Sequence, residues 1–160
     1  FPHYQFVVAA MDHLPAELYR RCTEGYPVKI ITGMTYELLA LSTAALVTSG
    51  TATLEAALFN VPQVVCYSTS PLTYHLAKWF IRVRFISLVN LIMEREVVKE
   101  LIQGDLNQER LQKELTDILP EGSRHAPVLN DYDELRSVMG GSGASVRVAK
   151  DMADNLNSKK

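Results

Sequence analysis

The sequence predicts a doubly wound α/β domain, a parallel sheet with helices on both faces. Three observations point there. Short apolar runs alternate with helical patterns through the first half of the chain. The runs are continuous rather than alternating in polarity, the habit of strands buried on both faces. Strand, helix and strand also succeed one another at a spacing that suits βαβ crossovers.

Each element has its own local reason. Residues 6–10 (FVVAA) read as a first strand. Residues 14–23 read as a helix, with Asp12 or His13 before it and Gly25 after it as start and stop signals. Residues 28–32 (VKIIT) are a second strand, 35–42 a short helix and 44–48 (AALVT) a third strand. A helix over 51–59 ends at Asn60-Val61-Pro62 and leads into a fourth strand, 63–67 (QVVCY). Pro71 precedes a helix over 72–82. From Glu94 the character becomes helical and charged, with helices expected over 95–103, 108–119 and 131–139. Gly140-Gly141-Ser142-Gly143 breaks the pattern, and 144–156 is a last helix. The expected organisation is a Rossmann-like domain over 1–130 followed by C-terminal helices over 131–160.

Composition excludes several classes. With 160 residues, 48% of them apolar, the chain can build a packed core and is not globally disordered. A net charge of −2 gives no basic field for nucleic acid. Cys22 and Cys66 lie far apart and belong to no Cys/His cluster, so neither a metal site nor a disulfide framework is expected and a reducing compartment fits. No run is long and apolar enough to span a bilayer. The chain opens on Phe1-Pro2 and reaches an apolar run within a few residues, so it reads as part of something longer.

The sharpest feature is Ser49-Gly50-Thr51-Ala52-Thr53-Leu54-Glu55, between a strand and a helix. Open α/β sheets bind ligands outside the carboxyl ends of their strands. A turn there with free N–H groups, hydroxyls and a helix start suits a phosphate or diphosphate. Glu55, one turn into the helix, could accept hydrogen bonds from two ribose hydroxyls. The alternative is purely local: Ser49 or Thr51 caps the helix and Glu55 completes the cap.

The stretch from Leu46 to Tyr67 resembles the donor-site unit of two-domain, GT-B-type glycosyltransferases, an outline shared by the peptidoglycan N-acetylglucosaminyltransferase. Farther along, Pro71 to Lys78, Ile86-Ser87-Leu88-Val89-Asn90-Leu91-Ile92 and the run from Arg95 to Gln103 resemble the lipid A disaccharide synthase family, whose pattern is close to SLPNLL followed by RE-VKELLQ. Val89 stands where that family usually has Pro, and Glu94 where Gly is common.

The resemblance implies one half of an inverting glycosyltransferase. Such an enzyme would move a diacylated glucosamine from UDP to a diacylglucosamine phosphate and release UDP. It implies a UDP-sugar site at Ser49, Gly50, Thr51, Thr53, Glu55, Tyr67, Asn90, Arg95, Glu100 and Gln103, with Arg95 the best placed to neutralise a diphosphate. No metal or other cofactor is expected. The catalytic base is expected in an N-terminal domain outside this chain, leaving the chain alone inactive. Arg95, Lys99 and Gln103 would share one helix face if 95–103 is helical, and Asn90 would lie in a loop, where a turn-forming role is equally open. His3, His13 and His125 read as surface residues.

Residues 78–85 (KWFIRVRF) mix aromatic, aliphatic and basic side chains. Lys78, Trp79 and Arg82 would meet an anionic membrane surface, with Phe80, Phe85 and Arg84 beside them. The other reading is a core-facing helix whose basic groups snorkel outward. The implied setting is the cytoplasmic face of a Gram-negative inner membrane, held peripherally. A homodimer exchanging C-terminal helices about the Gly140 region is a further expectation, as is looser packing from Asn130 onward. The rival class is a UDP-sugar-binding domain of the same fold without transferase chemistry, or with epimerase chemistry.

Overall fold

The computed structural model describes residues 1–48, 50–70, 84–140 and 143–157. The described chain runs β1 (Phe6–Ala10), α1 (Ala16–Thr23), β2 (Val28–Thr32), α2 (Thr35–Leu41), β3 (Ala45–Val47), α3 (Ala52–Leu58) and β4 (Gln63–Tyr67). It continues through α4 (Leu88–Met93), β5 (Lys99–Ile102), a single 3-10 turn (Gln103–Asp105), α5 (Gln108–Ile118), α6 (His125–Met139) and α7 (Ala144–Asn157). The α/β class with parallel strands is as the sequence predicts: β1 pairs parallel with β2, β3 with β4, and β4 with β5. The strands form two sheets, β1-β2 and β3-β4-β5.

β4 is the centre of the molecule. Val64 and Val65 are fully buried and point to opposite faces, so each anchors a separate core. Val65 packs with Ala57, Val89, Val97, Val98, Val128, Tyr132 and Leu135 under α3, α4 and α6. Val64 packs with Leu101, Leu115 and Ile118 under α5. Burying each such side chain stabilises the fold by roughly 1.5–3 kcal/mol, which is why this sheet is well covered. Cys66 packs against the second cluster, and burial pushes its thiol pKa up.

Local chemistry sets the helix ends. Asn107 caps α5, its side chain accepting from the Arg110 N–H at 3.0 Å. Ser87 caps α4 in the same way, with Oγ 3.3 Å from the Asn90 N–H. Pro127 falls in the first turn of α6, where its missing N–H leaves no intrahelical bond unmade.

Five sequence expectations need correction. β1 and β2 are not buried on both faces: Phe6 remains 41% and Val7 38% exposed, because these strands belong to a two-stranded sheet with little over it. Residues 95–103 do not form a helix. Lys99–Ile102 is β5, laid in register from Val64↔Lys99 to Tyr67↔Ile102, so pairing with the free edge of β4 outweighs the helical spacing of the charges. The helix expected to begin at Asp131 begins at His125. The looser region expected from Asn130 begins later: Tyr132 and Leu135 are core residues within that helix, whereas Val138, Val146, Val148 and Met152 are exposed. Finally, Asn90 lies in helix α4, which the sequence reading missed, and is fully buried.

Glu94 ends α4 at φ 53°, ψ 19°, the left-handed region. A side chain there costs about 1–2 kcal/mol, and glycine's extra freedom in the unfolded chain offsets about 0.4–1 of any relief. Glu94→Gly should therefore raise stability by about 0.5–1 kcal/mol, read from the urea midpoint. An unchanged or lowered midpoint would count against strain at this position.

Candidate functional site

The candidate site lies at the carboxyl edge of the three-stranded sheet. The chain leaves β3, turns at Gly50 and enters α3, with Tyr67 at the end of the neighbouring β4 and Gln103 just past β5. Gly50 has φ 128°, which disfavours any side chain, and a Cβ there would meet nothing within 4 Å. The turn is thus both conformationally special and open. Among the described residues, the N–H groups of Gly50, Thr51 and Ala52 donate to no acceptor, whereas those of Thr53 and Leu54 bond back to Gly50 and Thr51.

Side chains divide sharply here. Thr51 stands at the N-cap, exposed, with no capping hydrogen bond from its hydroxyl, so the local-cap alternative does not describe it. Thr53 is fully buried. Its Oγ1 donates to the Gly50 carbonyl at 2.8 Å, and its own carbonyl accepts from Gln63 Nε2 at 2.8 Å. Glu55 is half-buried and its carboxylate has no hydrogen-bonding or ionic partner among the described residues. Tyr67 is likewise half-buried, with no described polar partner for its hydroxyl. Ser49 lies outside the described residues, as do His75, Lys78, Trp79, Phe80 and Arg82.

The other candidates are occupied with holding the fold. Asn90 Oδ1 accepts from the N–H groups of Val97 and Val98 at 2.8 and 2.9 Å. Its Nδ2 donates to the Val98 carbonyl at 2.8 Å and to Glu100 Oε1 at 2.9 Å. The Glu100 carboxylate also receives the Ile86 N–H, the Ser87 N–H and the Ser87 hydroxyl. Asn90 and Glu100 therefore clip α4 to β5. Gln103 closes a pair of hydrogen bonds with the Thr69 backbone, both at 2.9 Å, and ties the exit of β4 to the exit of β5.

Arg95 is in a different place. It precedes β5, so it stands on the amino side of a parallel sheet whose Gly50 turn is on the carboxyl side. It pairs with Asp131 at 2.9 Å and Glu134 at 2.6 Å on α6, and the hydrogen bond to Asp131 is the first cause raising its pKa. The structure brings Gly50, Thr51, Glu55, Tyr67 and Gln103 to one edge and does not bring Arg95 there. Phe85, expected at a lipid surface, is only 8% exposed, with the Arg84 guanidinium 5.1 Å from its ring centroid.

Sequence reasoning missed Gln63 and Tyr132, both fully buried. Gln63 Nε2 reaches Tyr132 Oη at 3.2 Å as well as the Thr53 carbonyl, and Tyr132 donates to Val61 O at 3.3 Å. A glutamine at the head of the apolar run VVCY was the available signal, because a buried amide needs partners. A concavity of about 390 Å³ lies at the opposite edge, lined by Ser42, Asn60, Pro62 and His125 among others. It does not coincide with the candidate site.

Parallel strands with helical crossovers and an open turn at the carboxyl edge of β3 place the molecule in the doubly wound α/β class, whose ligands sit at that edge. The family follows from comparison. A family model described as lipid-A-disaccharide synthetase matches residues 4–151, and the chain belongs to that family. The lipid-A-disaccharide synthase of Anaeromyxobacter sp. (strain K) is 36% identical over 154 residues, covering 94% of this chain and 40% of that protein. Those of Syntrophus aciditrophicus (strain SB) and Myxococcus xanthus (strain DK1622) are 41% and 35% identical, over 76% and 97% of this chain. The chain spans 40%, 32% and 41% of these three relatives' lengths.

Proposed function

We propose that this chain is the donor-binding part of a glycosyltransferase that forms the lipid A disaccharide. Its donor is a UDP-activated diacylglucosamine, its acceptor a diacylglucosamine phosphate, and its second product UDP. Family membership supports the reaction class. The observation that carries the site is the Gly50 turn, with three N–H groups and the Glu55 carboxylate unengaged among the described residues.

The chemistry follows from those groups. The N–H groups of Gly50, Thr51 and Ala52 offer aligned donors to a diphosphate, and their hydrogen bonds strengthen as charge builds on the departing UDP. Glu55 grips the ribose hydroxyls from the next helical turn. Attack by the acceptor hydroxyl on the anomeric carbon, with inversion, needs a general base. That base and the acceptor site are supplied by polypeptide outside these 160 residues. Backbone dipoles meet the diphosphate charge, so no metal is invoked. The acyl chains of both substrates favour work at a membrane surface, and no described helix is long and apolar enough to cross a membrane.

Calorimetric titration with UDP tests the site. Glu55→Ala should weaken binding by about 1–3 kcal/mol, the range for lost hydrogen bonds to a charged group, or about 5- to 150-fold. Glu55→Gln should lose less. Unchanged affinity in the alanine variant would remove Glu55 from the site.

A further inference from the structure

Two of the unengaged N–H groups at the Gly50 turn, those of Thr51 and Ala52, take their direction from peptide planes. A trans peptide holds its carbonyl and its N–H in opposite directions. The Gly50 carbonyl therefore aims the Thr51 N–H, and the Thr51 carbonyl aims the Ala52 N–H. Gly50 O accepts two donors from a single residue, the Thr53 N–H at 3.2 Å and the Thr53 hydroxyl at 2.8 Å. Thr51 O accepts the N–H groups of Leu54 and Glu55 at 2.9 and 3.1 Å. Where Thr53 stands thus decides where the open side of the turn points.

Thr53 is fully buried, and a fully buried glutamine holds it. Gln63, the first residue of β4, donates from Nε2 to the Thr53 carbonyl at 2.8 Å and to Tyr132 Oη at 3.2 Å. Tyr132, on α6, donates in turn to the Val61 carbonyl at 3.3 Å. The orientation of the amide is settled by Thr53 O, a pure acceptor that must face the nitrogen. That leaves Gln63 Oε1 buried and without a hydrogen-bond partner among the described residues. A buried acceptor left unpaired lowers stability, and an apolar side chain of the same length at the head of VVCY would avoid the loss. Core packing therefore does not account for a glutamine here, whereas the grip on Thr53 does. Polar groups kept at the expense of stability belong to places where function needs them.

We infer that Gln63 is a positioning residue for donor binding: anchored by Tyr132, its amide fixes Thr53 so that the Thr51 and Ala52 N–H groups stay aimed at the diphosphate. Gln63 lies in the core and meets no ligand itself. It acts through Thr53 and the Gly50 carbonyl. The part played by the diphosphate rests on the donor site proposed above, whereas the control of the turn rests on the hydrogen bonds alone.

The test uses the complete polypeptide that carries these residues, as wild type and as Gln63→Met, which keeps the length of the side chain and removes its polar atoms. NMR relaxation without ligand should show the order parameters of the Thr51 and Ala52 amides falling from about 0.85 toward 0.6 or below in the variant, while those of Val98 and Leu101 in the core stay put. The urea midpoint should remain near wild type, since removal of the orphaned oxygen offsets the bonds lost. UDP affinity, read by calorimetry, should fall about 2- to 13-fold, the worth of one hydrogen bond. Tyr132→Phe, which removes only the anchoring hydroxyl, should move the same readings less far. Wild-type order at Thr51 and Ala52 in Gln63→Met, a loosening shared by Val98 and Leu101, or a large drop in midpoint would each overturn the inference. UDP binding by the wild type with an unaltered turn in the variant sinks this inference alone. A loosened turn in a protein whose wild type does not bind UDP sinks the functional reading alone.

Discussion

Asn90→Ala should lower the unfolding free energy by about 3–5 kcal/mol, the upper range for a single substitution that breaks a buried polar network. The side chain makes four hydrogen bonds beyond α4, to the N–H groups of Val97 and Val98, the Val98 carbonyl and Glu100. Alanine leaves the three backbone groups and part of a carboxylate without partners in a dry setting, and each buried orphan costs about 1–3 kcal/mol. Relaxation and water entry recover some of that sum, so the total settles below it. Asn90→Asp keeps an oxygen to accept from the Val97 and Val98 N–H groups but sets a carboxylate beside Glu100, so it should destabilise as well, more at neutral than at acid pH. Urea denaturation reads both effects. A loss under 1 kcal/mol for the alanine variant would mean that the clip is not a major support of α4 and β5. The same variants test the role of Asn90, because a pure ligand contact would change UDP affinity and leave the midpoint alone.

Gly122→Ala is the second large effect, at about 2–4 kcal/mol of destabilisation. Gly122 turns the chain from α5 into α6, and a Cβ there would lie 2.2 Å from the Asp117 carbonyl oxygen and 2.4 Å from that of Thr116. Both obstacles are backbone, so no rotamer change clears them. The last turn of α5 would have to move, and it carries Ile118, buried against Val64 and Leu101. Thermal unfolding should show a drop in midpoint of several degrees. A midpoint within a degree of wild type would mean that the α5–α6 turn can reshape freely.

The legible parts of this sequence were those governed by local rules. Strands 6–10, 28–32 and 63–67 coincide with β1, β2 and β4, because β-branched apolar runs bounded by turn residues have few other uses. The Gly50 turn was legible for the same reason: a Gly followed by hydroxyl residues between a strand and a helix is a local signature. What failed was whatever depended on partners. β5 was hidden because Arg95, Lys99 and Gln103 have helical spacing, and only the free edge of β4 decides otherwise. Asn90, Glu100 and Gln103 were recognisable as a polar pattern, but a pattern does not reveal whether its amides face a ligand or the backbone of the next element. Tyr132 carried no local signal, because its partners, Gln63 and Val61, lie some seventy positions away.

One chain of contacts runs unbroken from the interior to the open turn. Tyr132 receives Gln63, Gln63 holds the Thr53 carbonyl, and Thr53 holds the Gly50 carbonyl. The Tyr132 hydroxyl is protonated at physiological pH, as any phenol is, and burial raises its pKa further, so the relay stays intact. The shape of the turn is therefore decided when the core forms, before any ligand arrives. Association with a diphosphate would then draw little on the motion of the polypeptide. Its entropy change should come mainly from released water and from the ligand's own lost freedom.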